Sequence, residues 1–296
     1  MMFSDSTPMP LKCPISVPES ALSEWLQTWL QEDIGRGDWT TAGLGALAER
    51  PGQAIWVTRA PGVVAGLPFA RRLFQQLDAA IDFQPLVAEG DACEKDTTIA
   101  NISGSLAALL TGERVALNLV MRLSGIATAT RQYVDCLADT PTRFVDTRKT
   151  TPGLRQLEKY ASRVGGAINH RLGLDDAVMI KDNHIAAAGG LGAAVAQIRP
   201  AIPYPMTVEV ETSSLDQVEE ALTCPVDIIM LDNMAPETMA IAVARIRAAR
   251  PEIKIEASGN VTLATLEPIA ATGVDFISSS APVTRAPWLD ISMQIV

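Results

Sequence analysis

Cysteine is scarce in this chain, and its four copies, Cys13, Cys93, Cys136 and Cys224, are scattered with no CxxC pair. That spacing argues against a disulfide framework or a thiolate metal centre and for free thiols in a reducing, cytoplasmic setting. Aromatic residues make up only 5% of the 296 positions, while Ala, Val, Ile and Leu abound, the balance that buried parallel strands and their covering helices require. Bases are outnumbered, 24 against 34 acids for a net charge of −10, so the broad basic face that nucleic acid demands is missing. No apolar run approaches the ~18 to 20 residues of a membrane span. The first residues, MMFSDSTPMPLKCPIS, have neither a basic nor an apolar region and are not expected to act as a secretory signal. With 48% hydrophobic and 20% charged residues, the composition is that of a soluble globular enzyme of one large or two modest domains.

Against this acidic background one stretch stands out. Residues 146–185 hold Arg148, Lys149, His170, Arg171, Lys181 and His184, including both histidines of the protein. These side chains sit beside turns, small residues and strand ends, where they can point at a ligand. Arg155, Lys159 and Arg163 recur at helical spacing and read as a solvated face. A local concentration of cations in an acidic chain implies a pocket for an anion.

The chain order supplies the frame. Residues 1–18 are rich in Pro and Ser and read as a mobile arm. Residues 20–31 put Leu22, Trp25, Leu26, Trp29 and Leu30 on one helical face, and 32–41 read as a loop in which Asp33 and Asp38 cap. Short strands at 54–60, 62–66, 82–87 and 98–103, with a helix at 68–77, make a strand-rich α+β unit. Residues 105–137 are helical in pattern, with a break expected near Ser124-Gly125. Arg114 and Arg122 lie off the apolar stripe, free to face solvent or to reach across an interface. Apolar strands then alternate with helices: 143–146, 177–181, 207–211, 227–232, 254–258 and 275–279. This is the rhythm of a parallel α/β barrel, open or complete. Its strands end in Asp146, Lys181, Glu209 and Glu211, Asp232 and Ser258, and barrel enzymes carry their sites at those carboxyl ends.

Arginine forks grip carboxylates and phosphates, and lysine adds a point charge. Glu209 and Asp232, on neighbouring strand ends, can hold a divalent cation or accept hydrogen bonds from sugar hydroxyls. The turns at Ser258-Gly259-Asn260 and at Ser278-Ser279-Ser280 offer backbone amides to phosphate. The residues alone therefore describe a barrel enzyme for a polyanion and a phosphorylated sugar, with magnesium, and leave the reaction open.

Longer blocks carry a resemblance. EDIGRGDWTT, TGERVALNLVMRLSGIAT, DTRKTTPGLR, GGAINHRLGLDDAVMIKDNH, VEVE, IIMLDNM and EASGNV occur in this order. Together they resemble quinolinate phosphoribosyltransferase, the carboxylating nicotinate-nucleotide pyrophosphorylase of de novo NAD biosynthesis, across nearly the whole chain after the arm. The resemblance implies an N-terminal α/β sandwich domain (19–118), an open parallel α/β barrel of fewer than eight strands (119–285), and a C-terminal segment (286–296) packing back on the first domain. It implies the reaction of quinolinate with phosphoribosyl pyrophosphate and Mg²⁺ to nicotinate mononucleotide, pyrophosphate and CO₂, in homodimers or larger assemblies that share active sites. It assigns Arg114, contributed by a neighbouring subunit, Arg148, His170, Arg171 and Lys181 to quinolinate. Thr147, Lys149, Glu209, Asp232, Ser258, Gly259, Asn260 and Ser278 to Ser280 go to phosphoribosyl pyrophosphate. Lys181, Glu209 and Asp232 carry the chemistry, and Glu209 and Asp232 face the metal. Ser280 departs from the glycine common in the family, which limits close backbone approach there. The competing readings are a sister enzyme of the same fold with another anionic substrate and a non-catalytic anion-binding protein.

Overall fold

The structure, a computed structural model, describes residues 17–296, so the expected N-terminal arm lies almost entirely outside the described residues. The chain folds into two compact units.

The first comprises residues up to Thr128, Gln156–Val164 and Pro287–Val296. Helix α1 (Glu19–Ile34) buries Leu22, Leu26 and Leu30, spaced four apart on one face. It continues three residues into the stretch expected as loop and stops at Gly35, and a short α2 (Trp39–Gly43) follows. Asp38 caps α2, accepting the Thr41 amide at 2.9 Å and the Thr41 hydroxyl at 2.6 Å. There follow β1 (Pro51–Thr58), β2 (Gly62–Val63), α3 (Leu67–Leu77), β3 (Asp82–Pro85), β4 (Ala92–Cys93), β5 (Thr98–Ser105) and α4 (Leu106–Asp135). Strands β1, β5 and β3, together with Ile291–Ile295 from the end of the chain, form an antiparallel sheet; β2 pairs with β4. Trp56 on β1 is fully buried and meets Phe83 edge-on, with ring centroids 5.5 Å apart.

Helix α4 runs unbroken for 30 residues, against the break expected at Ser124-Gly125. Both residues serve packing instead. The Ser124 hydroxyl accepts the Ala65 amide at 2.9 Å and donates to the Ala65 carbonyl at 3.2 Å. A Cβ on Gly125 would lie 2.0 Å from the Pro287 carbonyl oxygen, so the side chain is missing where another backbone crosses the helix.

After β6 (Arg143–Val145) comes α5 (Arg155–Val164), whose residues from Gln156 onward belong to the first unit. The solvated face expected here does not exist at Lys159, which is fully buried, as is Glu158. Glu158 accepts from Arg122 Nε and Nη2 at 3.2 and 2.7 Å, and Tyr160 donates to Glu89 at 2.7 Å. Charge pattern reads as solvated unless an opposite charge far along the chain pairs with it, and Arg122 is 36 residues away.

The second unit, Ala129–Arg155 with Gly165–Ala286, holds the remaining elements. They are β7 (Val178–Ile180), α6 (Asp182–Ala188), α7 (Leu191–Ile198), β8 (Val208–Thr212), α8 (Leu215–Leu222), β9 (Ile228–Asp232), α9 (Pro236–Ala249), β10 (Lys254–Ser258), α10 (Leu263–Ala270), β11 (Phe276–Ser278) and α11 (Ala281–Thr284); the Ile291–Ile295 strand of the first unit is β12. The sheet is parallel and six-stranded in the order β6-β11-β10-β9-β8-β7, an open barrel with β6 and β7 at its edges. The period of two sorts its side chains. Val208, Val210, Ile229, Leu231, Ile255 and Ala257 join the core cluster that also holds the helix residues Val218, Met239 and Leu266. The alternate positions Glu209, Glu211, Met230, Asp232, Glu256 and Ser258 take the other face, so polar residues line the barrel mouth.

Replacing Gly125 with Ala sets a Cβ against a backbone carbonyl that no rotamer change can clear. The variant should lose about 3 kcal/mol of unfolding free energy, read from the urea midpoint; an unchanged midpoint would disprove the close crossing.

Candidate active site

At the carboxyl ends of the second unit's strands lies a cavity of about 570 Å³. Its wall gathers residues from seven separate segments, the six strand ends and one loop, because each strand ends beside it. From the end of β6 come Thr147, Arg148 and Lys149; from the following loop His170 and Arg171; from β7 Met179 and Lys181. Later strand ends add Glu211, Met230, Asp232, Asn233, Glu256, Ser258, Gly259, Asn260 and Ser278. An adjoining cavity of about 290 Å³ shares Lys149 and the Ser258–Asn260 turn and adds Ser279, Ser280 and Arg285.

Most of the residues picked out in the sequence thus meet in one place, with three departures. Glu209 does not line the cavity: it is 3% exposed and turned to His170. Glu211, one step further along the same face of β8, does line it, although sequence reasoning had given it no role. Arg114 lies on α4 in the first unit, exposed, and is not among the cavity-lining residues. His184 caps α6, its Nδ1 accepting the Lys181 amide at 2.9 Å. Asn233, Glu256 and Arg285 were also missed as site residues. Arg285 had no detectable signal, while Glu256 could have been found from the period of two, as an acid on the Ser258 face.

The cationic wall is tightly held. Asp146, 1% exposed, accepts the His170 amide at 2.8 Å and the Asn169 side-chain amide at 2.6 Å, tying the end of β6 to the loop bearing Arg171. Arg171 Nη1 donates to the Ala177 carbonyl at 2.8 Å. Burial first, and then the neighbouring Arg148, destabilise the charged guanidinium of Arg171 and lower its pKa, against Glu209 and Asp176. Two arginines that repel each other on one cavity wall are relieved by an anion between them. Lys181 Nζ meets Glu211 Oε2 at 2.5 Å, so part of its charge is already matched.

The turns expected to bind phosphate depend on backbone geometry. Asn233 and Asn260 adopt positive φ of 54° and 50°, and the Asn260 side-chain amide donates to Asn233 Oδ1 at 3.0 Å. Gly259 has φ 94°, and a Cβ there would sit 2.3 Å from Asn233 Oδ1. Left-handed non-glycine residues are strained, and their clustering at two adjacent strand ends marks a surface shaped for a ligand. The hard oxygen donors on the wall, Glu211 and Asp232, suit a magnesium ion that keeps most of its shell in water and substrate phosphates.

Where His170 and Glu256 line the cavity, His170 Nε2 and one carboxylate oxygen each of Glu209 and Glu256 lie within 4.8 Å of one another. The nitrogen is 3.1 Å from Glu209 Oε2 and 3.6 Å from Glu256 Oε2, while the Oε1 atoms of both acids are buried without a hydrogen-bond partner. Burial, and then the Glu209 carboxylate, push the Glu256 carboxyl well above the usual carboxylate range, against His170, Ser278 and Lys181.

Comparison with known proteins bears on this arrangement. A family model described as quinolinate phosphoribosyl transferase, N-terminal domain, matches residues 38–124, and its C-terminal counterpart matches 126–294. The chain is 64% identical over 291 residues to a Synechocystis protein named probable nicotinate-nucleotide pyrophosphorylase (carboxylating), covering 98% of this chain and 97% of that one. A rat protein named nicotinate-nucleotide pyrophosphorylase (carboxylating) is 39% identical, covering 94% and 92%. The solved structure of the nicotinate-nucleotide pyrophosphorylase from Francisella tularensis superimposes with a TM-score of 0.88 at 37% identity, over 95% of this chain and 98% of that one.

The Glu256 shift carries a sign. A carboxyl whose folded-state pKa is raised contributes its full stability in acid and loses it as pH rises through the raised value. Glu256→Gln does not titrate there. The unfolding free energy of wild type minus that of Glu256→Gln should therefore decline between about pH 5 and about pH 8. A difference that stays flat across the range would mean the carboxyl is not shifted.

Proposed function

The chain belongs to the quinolinate phosphoribosyltransferase family, and from that premise we infer that it transfers the phosphoribosyl group of phosphoribosyl pyrophosphate to quinolinate and decarboxylates the adduct. The products are nicotinate mononucleotide, pyrophosphate and CO₂, a step of NAD biosynthesis. The observation that carries this reading is a pair of adjoining cavities that share Lys149 and the Ser258–Asn260 turn: the larger holds the cationic wall with the acids Glu211 and Asp232, and the smaller the Ser278–Ser280 turn. The scattered cysteines support a cytoplasmic setting, and no helix among the described residues is long and apolar enough to cross a membrane.

Quinolinate carries two carboxylates on a pyridine ring. Arg148 and Arg171 take them as guanidinium forks and Lys181 adds a point charge. Lys149 and the amides of the Ser258–Asn260 and Ser278–Ser280 turns take the phosphates of the co-substrate. The pyridine nitrogen attacks the anomeric carbon, the new C–N bond forming as the C–O bond to pyrophosphate breaks. Positive charge then builds on the ribose, and Glu211 and Asp232, preorganised at neighbouring strand ends, oppose it. Glu209 acts on this site through His170. Asp232 would hold a magnesium ion together with the pyrophosphate, and that ion would supply charge neutralisation to the leaving group. The ribosylated ring is cationic, so it can accept the electron pair released when the adjacent carboxylate departs as CO₂; a proton then completes the ring. Ribosylation therefore precedes decarboxylation.

The exposed Arg114 is read as serving a second copy of the chain, in a homodimer or larger assembly whose sites are shared.

Quinolinate labelled in the carboxylate beside the ring nitrogen should release labelled CO₂ only with phosphoribosyl pyrophosphate and Mg²⁺ present, one for each pyrophosphate. Tight quinolinate binding with no pyrophosphate formed would overturn the enzymatic reading. For the shared site, Arg114→Ala and Lys149→Ala proteins, each inactive alone, should regain activity when mixed, because a hybrid rebuilds one intact site. Subunit exchange without recovery would place Arg114 outside the site.

A further inference from the structure

Among the buried groups that the reaction does not use directly, Glu256 has the least obvious purpose. It is 4% exposed, one of its oxygens has no hydrogen-bond partner, and burial of such a carboxyl is unfavourable unless something nearby returns the energy. The group it faces is His170 Nε2, at 3.6 Å, beside Glu209 at 3.1 Å. At the other end of the ring, His170 Nδ1 accepts the backbone amide of Arg171 at 2.7 Å. A proton on Nδ1 would set two N–H groups against each other and turn the Nε2 lone pair toward two carboxyl groups. A proton on Nε2 satisfies both ends. The surroundings therefore select one neutral tautomer, with its proton toward the acids and its lone pair toward the amide of Arg171.

We propose that Glu256 is a positioning residue for quinolinate binding: with Glu209 it holds the proton of His170 on Nε2, which keeps Nδ1 available to fix the Arg171 backbone and so aims the Arg171 guanidinium. His170 then contributes orientation, and the substrate's negative charge is met by Arg148, Arg171 and Lys181. The relay is short and rigid. Asp146 holds the His170 amide, the Ala177 carbonyl holds the guanidinium, and the imidazole fixes the amide between them. Outer partners that set the tautomer and angle of a functional imidazole do the same in metal sites. The identity of the anion rests on the reading of the cavity given above, but the state of the imidazole does not.

With only two histidines in the chain, nitrogen NMR of protein labelled in the imidazole resolves each ring. His184→Asn identifies the other signal set. Ligand-free wild type should show His170 with a protonated Nε2 and an unprotonated Nδ1. Glu256→Met, which keeps the volume and removes the second carboxyl facing Nε2, should shift both His170 nitrogens toward tautomer averaging. It should raise KM for quinolinate about tenfold while KM for phosphoribosyl pyrophosphate changes less than about twofold. Glu256→Gln, which retains an acceptor oxygen, should restore most of the difference. A wild-type proton on Nδ1 overturns the proposal, and that spectrum decides even if the Met variant fails to fold. Unmoved His170 signals in Glu256→Met, or a parallel rise in both KM values, also overturn it. Absence of CO₂ release by the wild type would instead remove the substrate assignment and leave the tautomer result standing.

Discussion

The site hangs on the buried carboxylate of Asp146. It terminates β6, so Thr147, Arg148 and Lys149 follow it directly, and it accepts hydrogen bonds from Asn169 and His170, 23 and 24 residues on. Between those points the chain leaves the barrel unit, forms α5 among the residues of the first unit and returns at Gly165. Together with the backbone bonds between Ile168 and the end of β6, the carboxylate fixes where Arg171 lies with respect to Arg148. Charge-assisted bonds to a backbone amide and a side-chain amide are short and directional, which is what a two-arginine anion grip requires.

The opposite wall uses strain where the cationic wall uses charge. Asn233, Gly259 and Asn260 sit in left-handed backbone at neighbouring strand ends, and the two asparagines bind each other. Interlocking of this kind holds the turn in one shape without a ligand present, so this wall of the cavity needs little reorganisation to serve as a binding surface. Between the walls, the acids are graded by depth. Glu209 is turned to the imidazole and does not line the cavity, whereas Glu211 and Asp232 do.

That grading explains where sequence reading succeeded and where it stopped. The alternation of short apolar strands with helices pointed to a parallel α/β barrel, and the polar residues closing those strands pointed to a site at its carboxyl ends. Periodicity assigns a face but not a depth. Glu209 and Glu211 share a face, and only their separation of about 7 Å along the strand decides which one meets a ligand. Ser124-Gly125 looked like a helix break because local propensity does not record a crossing backbone at Pro287. Lys159 looked solvated, yet it is fully buried, because spacing along one helix does not record what packs against it. Asp146, Arg148, Lys149 and Arg171 were legible because their chemistry is carried by residue type and strand end alone.

Leaving the barrel open has a consequence for the protein's solubility. Closure would have consumed every strand edge, whereas this sheet ends in β6 and β7 with backbone groups that could template pairing with another chain. Both edge strands are only three residues long, and Val145 on β6 is bridged by Ile168 from the returning loop. A three-residue edge offers too short a ladder for a second chain to zip onto. The fold thereby keeps a wide cavity mouth while giving aggregation little to begin from.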